Sequence, residues 1–428
     1  MKIHFTGADG ISMTLLKNLT QSYGHEVTGS DILSGGHDKN NVRGCDLVVY
    51  SGAVRPDNEE LVEAARLRIP VMERSAYLGR LSGEFERVIA IAGSHGKTTA
   101  TAMTYRALER QAPTLHIGGR MDHCKYIGGD RLLITEACEY RRSFLYLRPA
   151  VGVVLNAELD HTDYYEDLAD ILSAFAGFIE NSKLALINGD DKNLSCFRGE
   201  TVMTFGLAPE NDFYADAVEA AGGGTRFSLK YRGAYLGDVF LCVPGLHNVY
   251  NATAAAACGI LCGATFDETT AALTAFRGVH RRFELLGEAG GAKIYTDYAH
   301  HPTEIRATLG AVARTQGAEV WTVFEPHTFS RTRDLFSGFV DSLSGSDHVV
   351  LAPVFRSRES GGAVGSRELY LALEGRCYAA LFDSYEAINA YVRANVKPGD
   401  TVIYMGAGDI DRAAEMLLCL EKKRSPQK

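Results

Sequence analysis

Short apolar runs recur along this chain, each followed by a glycine-rich or polar turn and then by residues with helical spacing. That alternation predicts strands crossing over through helices into parallel sheets, an α/β fold. Runs at 2–6, 26–29 and 46–50 build a first unit, and 69–71 begins the way out of it. Runs at 88–92, 131–135, 151–155 and 184–187 build a second, and 293–295, 320–324, 348–351 and 401–405 a third. Helices are expected from Ser12, over the amphipathic stretch 99–110 and over the alanine-rich 252–261; glycines at 222–224 predict a hairpin in a short β excursion. At about 150 residues per domain, 428 residues suggest three domains. Their expected bounds are 1–86, 87–279 and 280–428, with a linker at 83–87 and a frayed charged tail at 421–428.

The run at 88–92 leads directly into Gly93-Ser-His-Gly-Lys-Thr-Thr99. Gly93 and Gly96 allow a tight turn that aims backbone N–H groups at an anion, and a helix starting near Lys97 adds its positive end. In such a loop Lys97 reaches the β- and γ-phosphates of a nucleotide, and the Thr98 hydroxyl ligates Mg²⁺. Ile91 stands where the commoner G-x-x-x-x-G-K-[ST] pattern has its first glycine, so this is a compressed variant. A plain glycine turn before a solvated lysine is the alternative, and the strand before it and the helical run after it count against that.

Composition narrows the function classes. With 46% hydrophobic and 23% charged residues and a net charge of −9, the chain has no global attraction for nucleic acid or anionic membrane, so an anionic substrate must be held locally. No apolar run approaches the ~20 residues of a membrane span, and no signal-peptide pattern precedes the first strand, which makes the cytoplasm the expected location. Nine cysteines without a C-x-x-C pair read as reduced thiols, and Cys258 and Cys262, four apart, suit helix packing better than metal ligation.

Polar clusters follow other strands. Gly7-Ala-Asp-Gly10 with Asp31 about twenty positions on resembles a dinucleotide-binding turn, although its third glycine is missing and Asp9 would crowd a pyrophosphate. Glu136-Ala-Cys-Glu139 and Asn156-Ala-Glu-Leu-Asp-His161 end two runs of the middle unit, where ligands of a parallel sheet collect. Glu136 could supply a carboxylate to Mg²⁺, with His161 a less usual ligand; Glu139, Glu158 and Asp163 stand open between function and solvated loop acids. His247 and Asn251 share a helix face and could meet a nucleobase, with capping and core packing as the alternative. In the last unit two histidines follow Asp297-Tyr-Ala, and Arg331 and Arg333 follow Pro326-His327, residues suited to anions; salt bridging is the alternative for Arg333 and for one of Arg281 and Arg282.

Taken in order, Gly10-Ile-Ser-Met13, Gly29-Ser-Asp31, Ser51-Gly-Ala, Gly93–Thr99, Glu136-Ala-Cys-Glu139, Asn156 to His161, His247-Asn-x-x-Asn251, Arg281-Arg-Phe283, Asp297 to Glu304, Pro326 to Thr332 and Gly406-Ala-Gly408 resemble the motifs of the Mur ligase family over nearly the whole chain. The resemblance implies a Rossmann-like N-terminal domain for a UDP-sugar, a central P-loop ATPase-like domain and a Rossmann-like C-terminal domain that closes over both with an amino acid. It implies ATP-dependent amide synthesis through an acyl phosphate, with ATP and Mg²⁺ as cofactors and UDP-N-acetylmuramate and L-alanine as substrates, by a monomer or weak homodimer. A recycling ligase that adds a preformed peptide and a non-catalytic nucleotide-binding relative stay open beside it.

By matching position, Lys97, Glu136, His161, Arg282 and His300 carry catalysis, and Thr98, Glu136 and His161 hold the metal. Gly93, Ser94, His95, Gly96, Lys97, Thr98, Thr99, His247, Asn251, Arg282 and Asp297 contact ATP. Gly10, Ser12, Asp31, Ser51, Tyr298, His300, His327 and Arg331 contact the other substrates. Departures from the family pattern are Asp9, Ser94, a short stretch at 118–131, Arg141-Arg142 after Tyr140, and Thr328-Phe329.

Overall fold

A computed structural model describes residues 1–312, 316–357, 359 and 361–422; the tail at 423–428 lies outside them. Three sheets follow one another along the chain. Strands β1 (Lys2–Thr6), β2 (Glu26–Ser30), β3 (Leu47–Tyr50) and β4 (Val71–Glu73) form a parallel sheet in the order β2-β1-β3-β4. The run at 69–71 is thus no exit: Val71 begins an edge strand, too short and too polar to announce itself.

The middle sheet has nine strands: β5 (Arg87–Ala92), β6 (Thr114–His116), β7 (Leu132–Glu136), β8 (Val151–Val154), β9 (Leu184–Asn188), β10 (Val202–Gly206), β11 (Phe213–Ala221), β12 (Gly224–Tyr231) and β13 (Ala234–Leu241), ordered β13-β12-β11-β10-β9-β8-β5-β7-β6. β5 reads Arg-Val-Ile-Ala-Ile-Ala because helices cover both faces of its sheet, and every residue after Arg87 is buried. Its neighbours are β7 on one side and β8 on the other, a topological switch point that leaves a crevice beyond its carboxyl end. β11 to β13 extend the sheet antiparallel, a longer excursion than a single hairpin.

Helix Lys97–Ala107 is buried around nearly its whole circumference, not along one face. It lies between the sheet and helix Leu246–Leu261, which explains its small residues. That second helix begins six residues before the alanine run, so His247 and Asn251 belong to its first turns.

The last sheet runs β14-β15-β19-β16-β17-β18, from β14 (Glu284–Ala289), β15 (Ala292–Asp297), β16 (Val320–Phe324), β17 (His348–Leu351), β18 (Tyr378–Leu381) and β19 (Thr401–Met405). Only β14 is antiparallel to its neighbour. The cores divide unequally. Leu16 and Leu19 of helix Ile11–Ser22 and Tyr77, Leu78 and Leu81 of helix Arg74–Ser82 share one apolar cluster with Phe144, Phe175 and Phe178 of the middle unit. The two clusters of the last unit draw on no residue before Phe283. Cys258 is fully buried in the middle core, in keeping with packing. Among the described residues no helix is long and apolar enough to cross a membrane.

Candidate active site

Strand β5 delivers its chain into the glycine loop with Gly93 at φ +143° and Gly96 at φ +83°, conformations that favour glycine. At Gly96 a Cβ would stand 2.7 Å from the Asn251 amide oxygen, so the loop passes tight against helix Leu246–Leu261. The loop is clamped from β8: the His95 N–H donates to Asn156 Oδ1 at 2.8 Å, Asn156 Nδ2 donates back to the His95 carbonyl at 3.0 Å, and the Glu158 N–H donates to Ser94 Oγ at 2.8 Å. Lys97 Nζ donates to the Gly93 carbonyl at 2.5 Å and stands 2.9 Å from Glu139. Burial works against the ammonium charge, but Glu139 outweighs it and holds the pKa above the ordinary lysine value.

A cavity of about 840 Å³ brings Lys97, Thr98, Glu136, Glu139, His161 and Arg282 together with Tyr298 and His300 of the last unit. Glu136, at the end of β7, accepts the Gly118 N–H at 3.0 Å. The carboxylate beside His161 is Glu139, fully buried and 3.3 Å from its Nε2; ligand atoms of Glu139, Asp160 and His161 all lie within 4.8 Å of one another. Glu136 stands outside that group. The spacing of a motif gives no direction for its side chains, and the turn after β7 points Glu139 inward.

A second cavity of about 250 Å³ lies on the other side of the loop, lined by Thr99, His247, Asn251, Phe276, Arg282 and Asp297. Burial lowers the His247 pKa to about 4, so the ring is neutral at physiological pH and suits an uncharged ligand face. Asp297 turns both oxygens to backbone, taking the N–H groups of Phe283 and Ala299 at 2.8 and 2.7 Å; burial raises its pKa to about 6. Its contact with this cavity is as a shaper of the wall.

Polar contacts join the last unit to the loop. Arg282 Nη2 donates to Thr98 Oγ1 at 3.3 Å, while Arg281 turns away to the carbonyls of Gly406 and Gly408, which divides the pair between site and scaffold. Arg333 pairs with Asp334 on the surface. The His95 ring lies between Glu158 at 3.5 Å and Glu304 at 3.4 Å and packs on His301 with ring centroids 4.6 Å apart. Burial would lower its pKa, but the two carboxylates overcome this and raise it to about 9. Thr303 Oγ1 donates to Glu158 at 2.8 Å, and Arg331 Nη2 to Asp160 at 3.0 Å. Arg331 and His327 also contact each other at 3.1 Å and line a third cavity with Tyr140 and Glu359.

His300 donates Nδ1–H to the Tyr298 carbonyl at 2.9 Å, and burial lowers its pKa, so its other ring nitrogen is an acceptor. His161, Arg281, Phe283 and Thr328 all have positive φ, backbone strain concentrated at the seam between the units. Arg141 and Arg142 share that conformation, and Arg142 is spent on Asp170 at 2.5 Å.

The candidates of the first unit sit apart. Gly10 caps helix Ile11–Ser22, Ser12 Oγ meets His116 at 2.9 Å, Asp31 accepts the Asp9 N–H at 3.1 Å, and Ser51 accepts the Ala53 N–H at 3.3 Å. None of them lines the three cavities described. Glu304, Asn156 and Asp160 stand in the polar clusters quoted from the sequence but have no role assigned there; the fold brings all three to the site. Their signal was proximity in sequence to His300 and His161.

Comparison with known proteins places each unit. Residues 2–86 match the Mur ligase family catalytic domain, 91–259 the Mur ligase middle domain, and 281–408 the Mur ligase glutamate ligase domain. The chain is 37% identical to a UDP-N-acetylmuramate–L-alanine ligase of Alkaliphilus metalliredigens, over 97% of this chain and 96% of that one. The crystal structure of UDP-N-acetylmuramate–alanine ligase MurC from Thermotoga maritima superposes with a TM-score of 0.85 at 28% identity, covering 99% of each chain. A murein peptide ligase from Psychrobacter arcticus shares the fold with a TM-score of 0.69 at 22% identity, over 98% of each.

Proposed function

Because the chain belongs to the Mur ligase family, we propose that it joins L-alanine to the carboxylate of UDP-N-acetylmuramate with cleavage of ATP to ADP and phosphate, a step of peptidoglycan precursor synthesis. The observation that carries this reading is the phosphate loop whose Lys97 shares a cavity with Arg282, an arginine supplied by the last unit and bonded to Thr98 of the loop. Likeness to the alanine ligase exceeds that to the peptide ligase in both structure and identity.

A carboxylate resists attack by an amine because its leaving group would be hydroxide. Transfer of the γ-phosphoryl group to the carboxylate oxygen gives an acyl phosphate and ADP; the amine then attacks the acyl carbon and expels phosphate. Phosphoryl transfer is largely a matter of position and charge. Lys97 and Arg282 carry the fixed positive charge, and His247 and Asn251 form the wall for the adenine. Thr98, Glu136 and His161, with Glu139 and Asp160 adjoining, offer the oxygen-rich donor set that would hold Mg²⁺, whose charge offsets that of the phosphates. Tyr298, His327 and Arg331 orient the amino acid and the sugar carboxylate. The free nitrogen of neutral His300 takes the proton that an ammonium must lose before it attacks. Seating Arg282 only when the last unit closes limits hydrolysis of the intermediate.

The test is phosphate release from ATP with Mg²⁺. It should require both UDP-N-acetylmuramate and L-alanine and fall to background in Lys97→Ala. Release with L-alanyl tripeptide alone would assign a recycling ligase instead, and release with neither would refute the ligase reading.

A further inference from the structure

The Glu60 carboxyl is fully buried in the first unit, far from the chemistry, and no step above uses it. A buried carboxylate persists only where donors replace its water. Here the two oxygens divide the work. Oε2 takes Thr6 Oγ1 at 2.7 Å from the end of β1, Ser30 Oγ at 2.7 Å from the end of β2, and His4 Nε2 at 3.2 Å. Oε1 takes the Asp38 N–H at 3.2 Å and Asn41 Nδ2 at 2.8 Å, both from the segment that follows β2. Burial alone would raise its pKa; the hydrogen bonds outweigh it and hold the group ionised. One oxygen grips the sheet and the other grips the loop.

Beyond Glu60, the Lys39 N–H donates to Glu59 at 3.3 Å, and the tip of the loop closes on itself through the Ser34 and Gly36 N–H groups, both given to the Asp31 carbonyl. Gly35 and Gly36 stand at φ +113° and +84°, and Ile32 and Leu33 are 77% and 87% exposed. Yet it frames the carboxyl edge of the first sheet, where the N–H groups of Gly7 and Ala8 turn over the Ser30 carbonyl and the Asp9 N–H meets Asp31. His37 is carried on the same segment and bonds Ser30 Oγ at 2.9 Å. A ligand at that edge would meet a wall whose shape is set from beneath by one carboxylate.

We propose that Glu60 is the positioning residue of the nucleotide end of the sugar-substrate site, holding residues 31–41 in the shape that receives a uridine diphosphate. The inference rests on the reading that the first unit binds the UDP moiety. It needs no contact between Glu60 and substrate. Removing the charge leaves the sheet intact but frees the loop, so the loss falls on binding of that one substrate.

The experiment uses the full chain, with UDP alone as the calorimetric probe and steady-state kinetics beside it. In Glu60→Gln the dissociation constant for UDP and the KM for UDP-N-acetylmuramate should both rise by about tenfold or more, with kcat and the KM for ATP within about twofold. Asn41→Ala, on the exposed side of the loop, removes one donor to Oε1 without touching the core, and should move the same two constants by a few-fold. Unchanged UDP binding in both variants overturns the assignment. So does a parallel loss of kcat and ATP affinity, which would mark a general structural role. A wild-type chain that binds no UDP instead refutes the reading of the site on which the proposal rests.

Discussion

The middle unit meets its two neighbours in opposite ways. Toward the first unit the seam is apolar and continuous: Leu78 and Leu81 pack into one core with Phe144 and Phe178, and Gly79 lies so close to Tyr146 that a Cβ would stand 2.7 Å from its carbonyl oxygen. Toward the last unit the contacts are polar: His95 between Glu158 and Glu304, Arg282 on Thr98, Thr303 on Glu158, Arg331 on Asp160. Apolar seams lose their full burial energy when opened, whereas charged and polar groups regain water. We infer from this that the first two units act as one body and that the third can lift and return. The proposed sugar and ATP sites would then stay fixed while Arg282 arrives with the third unit.

The largest expected effect breaks the apolar seam. Leu78→Ala should cost about 2–5 kcal/mol. Trp321, the sole tryptophan, is buried in the last unit and reports on that unit alone. In urea the circular dichroism transition of the variant should shift to lower concentration while Trp321 fluorescence keeps its wild-type midpoint. A common shift of both probes would show one cooperative molecule.

Arg282→Ala attacks the polar seam instead. Activity should fall by about a hundred- to a thousandfold, as for loss of one transition-state charge donor, with both unfolding transitions unchanged. A drop in stability of matching size would make Arg282 a structural link.

A pH series is the next and smaller test. Because the His95 pKa is raised from its ordinary 6.5 to about 9, its stabilisation of the closed seam is complete below about 6.5, declines as pH rises, and is lost above about 9. Small-angle scattering should show the chain expanding over that interval, and His95→Gln should remove the dependence. The smallest effect belongs to Thr303→Ala, which deletes a neutral hydroxyl donor to Glu158 and should cost about 0.5–1.5 kcal/mol, read as a change of up to tenfold in kcat/KM.

The same division governs what could be read in the residues alone. The buried parallel strands were legible because burial on both faces leaves an uninterrupted apolar run, as in β5 and β8, and the glycine loop because its backbone demands glycine. The edge strand β4, half exposed, carries no such run. Helix Lys97–Ala107 reads as amphipathic from its threonines, yet those threonines are buried, and Thr104 returns its hydroxyl to the Ala100 carbonyl. Side-chain direction was the least legible part of the site. Whether Glu136 or Glu139 meets His161 depends on a turn after β7, and the pairing of His95 with Glu304 joins the loop after β5 to helix Pro302–Ala311 of the last unit. Glu60 lay outside every motif because its partners, two hydroxyls, an imidazole, an amide and a backbone N–H, come from separate stretches of the chain and are gathered only by the fold.

Hydrogen exchange with and without ATP and Mg²⁺ tests the asymmetry most directly, since the His280 N–H donates to the Arg120 carbonyl across the polar seam at 3.0 Å. The amide of His280 should exchange well ahead of global unfolding in the free chain and gain protection when ATP binds, while amides of helix Arg74–Ser82 exchange only with global unfolding in both states. Equal protection at the two seams, unmoved by ATP, would contradict a fixed body with a closing third unit.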